Sequence, residues 1–372
     1  MLYEVNSVSQ YIDLIKKLQE ESDYPLYYRG QSKFYDKMDS TAFRMDLLEK
    51  GSLHQGYPFK RIIKDFKYEV WNDINNDTRK RFLAFCQHHG IPTNLLDFTE
   101  NPLIALYFAV SNQENMTTPG YIHILNTPLL DMTDFIEEYA IDEGSIFELT
   151  FSDDLNILEK IIHKFRYFEE NHPKEFYRRF KRLNNDLQHF KQMKNREILY
   201  DSTEIMTIED EIFSEIECIN QENKYSIHVP IYDNMMRKDI EKTIFNNSPN
   251  HNVTAYLLYL RYFRVLLNLE SKWPKYINGL LPMTYKPILN FKRGINQKGI
   301  FIYQNYFERI PSKSHGYREY TVQSIESNHI IKITDSKFNI GEMLDLLQIN
   351  KKFVYGDFES TASYFVNKYN RF

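Results

Sequence analysis

Two stretches of this chain carry residues whose types and spacing could do chemistry. In Pro25-Leu-Tyr-Tyr-Arg-Gly-Gln31 a short aromatic run suited to a strand ends at an arginine, followed by a glycine and a polar side chain. Arginine at the end of a buried strand is costly unless paired. A guanidinium fork aimed at a carboxylate or a phosphate accounts for Arg29, and Gly30 beside it would let a ligand approach the backbone. The competing reading is an arginine in an exposed loop. The second stretch is Arg81 to Ser111, where two apolar segments flank a polar turn holding Gly90, Pro92, Thr93, Asn94 and Asp97. Gln87, His88, His89 and Asp97 are polar groups beside much apolar sequence, so they must find partners or do work. A plain core helix with a well-made N-terminal turn is the alternative.

The elements that must position these residues are legible in part. Asn101 can cap a helix and Pro102 fits its first position, where a missing N–H costs nothing. From Leu103 to Val110 nearly every residue is apolar, which marks a buried helix too short to span a bilayer. Ser7 and Gln10 have capping-box spacing ahead of an amphipathic helix over Val8 to Glu21, and residues 59–74 show the same periodicity. Tyr121 to Leu125 reads as a strand whose His123 is satisfied within the sheet. Arg293 to Tyr303 reads as a loop entering a strand, Ile330 to Ile333 as a strand and Ile340 to Leu347 as a helix. Between Asp153 and about Lys272 turn residues become rare and helical periodicity dominates. Lys160 to Arg196 is basic, and Asp201 to Glu222 holds acids with no Lys or Arg. These blocks pair with each other, face solvent, or offer a basic face to a nucleic acid. Thr254 to Trp273 is apolar but carries Arg261 and Arg264, which suits a buried helix and not a membrane span.

Composition sets the class. With 372 residues and 42% hydrophobic side chains the chain can bury a large core. Its 28 Tyr and 27 Phe against 12 Gly and 13 Pro favour long helices and aromatic-rich strands. A net formal charge of -5 gives no general pull toward nucleic acid. Cys86 and Cys218 are the only cysteines, which excludes a disulfide framework and points to a reducing, cytoplasmic setting; the N-terminus lacks the basic start and apolar run of a signal peptide.

Several site types are absent. No G-x-G-x-x-G occurs, and Gly51 and Gly56, at phosphate-loop spacing, lead into Tyr57-Pro58. There is no G-x-S-x-G elbow, H-E-x-x-H or paired C-x-x-C, so no metal site is expected. Cys86 sits among Phe82, Leu83 and Phe85 and reads as a buried, inert thiol.

Taken together, Tyr28-Arg29-Gly30-Gln31, Gln87-His88-His89-Gly90-Ile91-Pro92-Thr93, Leu95-Leu96-Asp97-Phe98-Thr99 and Asn101-Pro102-Leu103-x-Ala105-Leu106-Tyr107-Phe108-Ala109 resemble the FRG domain, a family named for a Phe-Arg-Gly motif. Arg293, Gln297, Gly299 and Phe301 resemble its R-x-x-x-Q-x-G-x-F segment, and Val354 to Ala362 its closing L-F-P-D-L-D-G-L-A. The chain departs from the family at Tyr28 for Phe, Asn94 for Arg, Phe98 for Trp, Gly356 for Pro and Glu359 for Asp. Of these, the lost charge at Asn94 is the one that bears on ligand preference.

More distantly, the layout is similar to ADP-ribosyltransferases. That resemblance implies an α+β protein with an ADP-ribosyltransferase-like small split sheet as its core, formed by residues 1–152 and 274–372 around a large helical insertion at 153–273 that binds a partner or mediates oligomerisation. It implies NAD as substrate, no metal, no membrane, and transfer of ADP-ribose to a nucleic acid or protein, as a bacterial toxin or phage-defence effector. Arg29, His88, Asp97 and Gln297 would be the catalytic set, with Tyr28, Gly30, Gln31, Thr93 and Tyr107 joining Arg29 in holding the dinucleotide. Gly299 falls where such enzymes carry a catalytic glutamate, so Asp357 or Glu359 would have to substitute. The alternative is a module that binds a nucleotide or nucleic acid as a sensor without chemistry.

Overall fold

Short segments rich in apolar and aromatic residues build a mixed main sheet, and helices cover it. In the computed structural model the described residues are 1–44, 58–112, 117–139, 145–150, 154–194, scattered positions from 252 to 264, 274–288, 292–309, 319–334 and 337–369. The strands are β1 (Leu2–Val5), β2 (Tyr27–Gln31), β3 (Leu95–Thr99), β4 (Gly120–Leu125), β5 (Leu130–Asp131), β6 (Tyr276–Ile277), β7 (Met283–Tyr285), β8 (Gly299–Tyr303), β9 (Tyr306–Arg309), β10 (Glu319–Gln323) and β11 (His329–Ile333). The main sheet has eight strands in the order β1-β11-β4-β2-β3-β8-β7-β5, larger than the small sheet expected, and a second sheet has the order β6-β10-β9.

The helices are α1 (Val8–Glu20), α2 (Phe59–Val70), α3 (Asn76–Lys80), α4 (Phe82–His88), α5 (Pro102–Val110), α6 (Thr133–Tyr139), α7 (Ile146–Leu149), α8 (Leu155–Asn171), α9 (Pro173–Lys194), α10 (Lys292–Gln297), α11 (Lys337–Leu346), α12 (Lys351–Tyr355) and α13 (Phe358–Tyr369). Ser7 Oγ accepts from Gln10 N at 3.2 Å, while Gln10 Oε1 takes the N–H of Asn6 at 3.1 Å, one residue earlier than a capping box requires. Asn101 Oδ1 caps α5 through Leu103 N at 3.0 Å. One apolar cluster lies between the sheet and α1, α5 and α11, drawing on Tyr11, Ile15, Tyr28, Ile122, Ala105 and Leu344. A larger one joins α2, α4, α8 and α9 to the β7–β8 side.

Three expectations are corrected. Residues 95–97, read as part of a polar turn, belong to the central strand β3, in which Asp97 is the exposed residue of a pattern otherwise buried. A single acid inside a five-residue run hides the strand period. Arg29 lies in the middle of β2, since Gly30 and Gln31 continue the ladder opposite Ile122 and Tyr121 of β4. Residues 292–297, read as a loop because of Gly294, form the helix α10.

Within the expected insertion, α8 and α9 share the larger apolar cluster with α4 and β8. The acidic block and much of the apolar 254–273 stretch lie outside the described residues. Basic residues of α8 and α9 are paired inside the chain: Lys160 with Glu138 at 3.0 Å, Arg179 with Glu175 at 2.7 Å and Arg182 with Glu326 at 3.2 Å. Among the described residues no helix is long and apolar enough to cross a membrane.

Gly30 is required by packing. A Cβ there would lie 1.9 Å from the Ala105 carbonyl oxygen and 2.9 Å from Ala109 N, because α5 rests directly on β2. Its partner Gly120 on the neighbouring side meets Ala109 O at 2.4 Å by the same measure. Gly30 therefore admits the close approach of a helix. A Cβ at Gly299 would meet only Phe98 O, at 3.9 Å. Gly30→Ala should lose about 3 kcal/mol or more of stability, and Gly299→Ala should lose less than about 1 kcal/mol, both read from urea unfolding.

Candidate functional site

The two halves of the main sheet meet at one residue pair. β2 pairs with β4 along its whole length and β3 with β8 along its whole length, but β2 and β3 pair only at Tyr28 opposite Thr99. Beyond that pair the strands part. A cavity of about 230 Å³ opens there, lined by Arg29 and Gly30 of β2, Gln87 and His88 of α4, Asp97 of β3, Phe108 of α5, and Arg293 and Gln297 of α10.

Arg29 bridges the gap, its Nη1 donating to the Asp97 carbonyl at 2.7 Å. Burial draws its guanidinium below the ordinary value, to about 10, against the opposing pull of Asp97, and it stays charged at neutral pH. The Asp97 carboxylate is held by a relay from the buried turn. Thr93 Oγ1 accepts the Leu95 N–H at 3.2 Å and donates to Gln87 Oε1 at 2.5 Å, while Gln87 Nε2 donates to Asp97 Oδ2 at 2.8 Å. A carboxylate only accepts, so the Gln87 amide turns its NH₂ toward Asp97 and its oxygen toward the Thr93 hydroxyl.

His88 ends α4 and lines the cavity, whereas His89 packs on the Phe85 ring at 4.3 Å. Burial, then the charges of Arg293 and His89, press His88 down to about 4 against Asp357, so it is neutral at pH 7. Arg293 lies over the Tyr355 ring at 5.0 Å. Gln297 reaches the cavity, but its Nε2 donates to Val354 O at 3.2 Å, and its carbonyl accepts from Thr99 Oγ1 at 2.5 Å.

Arg29, Gly30, His88, Asp97 and Gln297 thus share one cavity, which Tyr28 also borders. Tyr28 is wholly buried, its hydroxyl taking a bond from Gln19 Nε2 of α1 at 3.4 Å. Gln31, Thr93 and Tyr107 do not line the cavity; Phe108 takes the place expected for Tyr107. Asn94 is buried at 2% exposure and donates to Gln304 O at 3.1 Å, so the charge lost at that position lies away from the ligand space.

Asp357 is committed to capping α13, where Ser360 N donates to its Oδ1 at 2.6 Å, and Glu359 is exposed; neither lines the cavity. Sequence reasoning did not assign Arg293 or Phe108 to the site. Once α10 is seen as a helix, the Arg293 to Gln297 spacing is i, i+4 and puts both on one face.

Compared with known protein families, residues 24–118 match the FRG domain. The chain carries an FRG domain. The matched span holds β2, α4, β3 and α5, one wall of the cavity, while the α10 and β8 wall of the FRG-domain cleft comes from beyond it. No curated protein and no solved structure matches the chain. Among the described residues no group of three or more His, Cys, Asp or Glu is placed to hold a metal ion. Burial pushes the Cys86 thiol up to about 12, which leaves it protonated at neutral pH.

Two outcomes follow from this geometry. Thr93→Val removes the hydroxyl from the Leu95 N–H and from Gln87 Oε1 and should cost about 1–3 kcal/mol in urea unfolding, while Thr93→Ser, which keeps the hydroxyl, should cost less than half as much. His88 takes up its proton near pH 6.5 when unfolded but only near 4 in the fold, so stability is lost as pH falls through that window. His88→Gln should flatten this part of a stability-versus-pH curve, and an unchanged slope would count against the burial of the ring.

Proposed function

We propose that the FRG-domain cleft binds the phosphate-bearing nucleotide NAD and transfers its ADP-ribose to a nucleic acid or protein acceptor, in the role of a bacterial toxin or phage-defence effector. The observation that carries this reading is the gathering of Arg29, Arg293 and the single carboxylate of Asp97 at the gap in the sheet. A guanidinium there suits phosphate oxygens. The Asp97 carboxylate, held through Oδ2, suits the positive charge that develops at the ribose C1′. In the step proposed, the bond from C1′ to the nicotinamide nitrogen breaks and nicotinamide leaves with the electron pair. The acceptor forms its bond to C1′ and gives its proton to neutral His88. At about 230 Å³ the cavity is below the ~300–1,000 Å³ of sites that enclose a whole drug-sized ligand. It would therefore take the reacting end of NAD and leave the adenosine at its mouth.

A second reading, binding without turnover, is favoured by Gly299, which supplies no carboxylate, and by the engagement of Gln297 Nε2 with Val354 O. Losing one preorganised electrostatic contact costs roughly 10²–10³ in rate. The deciding experiment incubates the purified protein with NAD labelled in the ADP-ribose portion and with total RNA, DNA and protein, while following nicotinamide release. Transfer to one fraction that falls at least tenfold in Arg29→Ala and in Asp97→Asn supports the transferase. NAD binding in calorimetry with neither release nor transfer supports the sensor, and no NAD binding at all overturns both.

A further inference from the structure

α13 turns its apolar side outward. Phe358, Ala362, Phe365 and Tyr369 follow one another at spacings of four, three and four, so on a helix they fall within about 60° of arc. All four are exposed, Phe358 at 92%, Tyr369 at 68% and Phe365 at 43%, and Val366 at 58% widens the stripe on one flank. The side turned to the body is polar. Lys351 Nζ donates to Ser363 Oγ at 2.9 Å, and the Tyr364 hydroxyl donates to Asp345 Oδ1 at 2.8 Å. A surface helix ordinarily docks by burying its apolar face; here that face, at the spacing of a helix-pairing seam, is left in solvent.

The stripe is complementary to a second copy of itself. In an antiparallel register centred between Ser363 and Tyr364, large Phe365 meets small Ala362, and Phe358 meets Tyr369 as an aromatic pair. Charge follows the same symmetry. Asp357 precedes the helix and Lys368 lies in its last turn, on one side of it to within about 20°, so a two-fold axis brings each acid to the other copy's lysine. Antiparallel helices also set the positive end of one dipole beside the negative end of the other. A helix lying on a bilayer carries lysines and arginines along its polar side, where α13 has Ser360, Ser363 and Tyr364.

We propose that α13 is a self-association helix that pairs antiparallel with α13 of a second copy of this chain, Phe358 against the partner's Tyr369 and Ala362 against the partner's Phe365. The pairing makes no use of the cleft's ligand. It stands one helix away from the cleft, because α12 lies between, its Phe353 and Val354 carbonyls accepting from Asn296 and Gln297 of α10 at 2.6 and 3.2 Å. A single pair of short helices buries less than about 1,200 Å², so the dimer should dissociate on dilution.

Sedimentation equilibrium of the full chain should show monomer and dimer in exchange, and the double variant Phe358→Ser, Tyr369→Ser should raise the dissociation constant at least about tenfold. Both side chains are exposed, so the variant should keep the parent's circular dichroism in dilute solution. Cross-linking in a Cys218→Ser background reads the register. Phe358→Cys mixed with Tyr369→Cys should form the mixed disulfide while neither does so alone, since the two copies of position 358 would stand roughly 16 Å apart along the pair. A monomer at every concentration, a dimer untouched by the double variant, or equal cross-linking of Phe358→Cys with itself overturns the proposal. A parent that stays monomeric yet binds phosphatidylserine vesicles, with the double variant unable to, also overturns it and makes a lipid surface the occupant.

Discussion

The structure depends on the point where the hydrogen-bond ladder between β2 and β3 stops. A sheet interior cannot leave its backbone groups unpaired without cost, and here the pairing ends after Tyr28 and Thr99. Arg29 meets part of that demand by donating to the Asp97 carbonyl, a bond that in a continuous sheet would come from a backbone N–H. The same bond holds the strands apart at a set distance. Everything that lines the cavity is placed relative to this interruption: α5 lies against β2 through Gly30, α4 meets β3 through the Gln87 relay, and α10 joins β3 through Thr99 and the Gln297 carbonyl.

A second polar assembly fixes the far side of β8. Gln304 accepts from Ser40 N at 2.8 Å through its side-chain oxygen and donates to Gln323 O at 2.9 Å and to Asp39 Oδ1 at 3.3 Å. Asn94 reaches the Gln304 carbonyl, and Gln323 Nε2 serves the carbonyls of Leu280 and Leu281 at 3.1 Å each. Buried amides satisfied in this way tie the main sheet to the smaller one, because each lost bond would strand a partner. An arginine in place of Asn94 would bring a charge into a network of neutral amides with Asp39 as its one acid. The departure at this position therefore belongs to the joint between the sheets and not to the ligand.

Much of this was legible in the residue order, and the failures have physical causes. Capping side chains announced α1 and α5, since Ser7 and Asn101 act within their own turn. Arg29, His88, Asp97 and Gln297, singled out from the motifs, lie around one cavity, although only the elements of Arg29 and His88 carry an apolar run. Local pattern could not reveal that β3 is a strand, as its Asp97 breaks the period for a reason that exists only across the sheet. Nor could it show that Gly30 answers to a helix more than seventy positions downstream. The role of Gln87 was hidden likewise, since its partners Thr93 and Asp97 had both been read as one polar turn, whereas Asp97 belongs to β3.

Electrostatics gives the cleft its bias. Two arginines face it against one carboxylate, Asp357 spends its oxygens on Ser360, and His88 is neutral at pH 7. Asp97 cannot neutralise both guanidinium groups, and its Oδ2 is committed to Gln87. A cation entering this space would meet more positive than negative charge, whereas an anion would complete it. Because burial raises the energy of the uncompensated Arg29 charge, the free energy of binding an anion includes relief of that penalty. The relief belongs to the folded state alone, so by linkage an anion that bound there would stabilise the fold. The interruption of the sheet that brings Arg29 to the cavity would thus also couple occupancy of the cleft to the stability of the strands that form it.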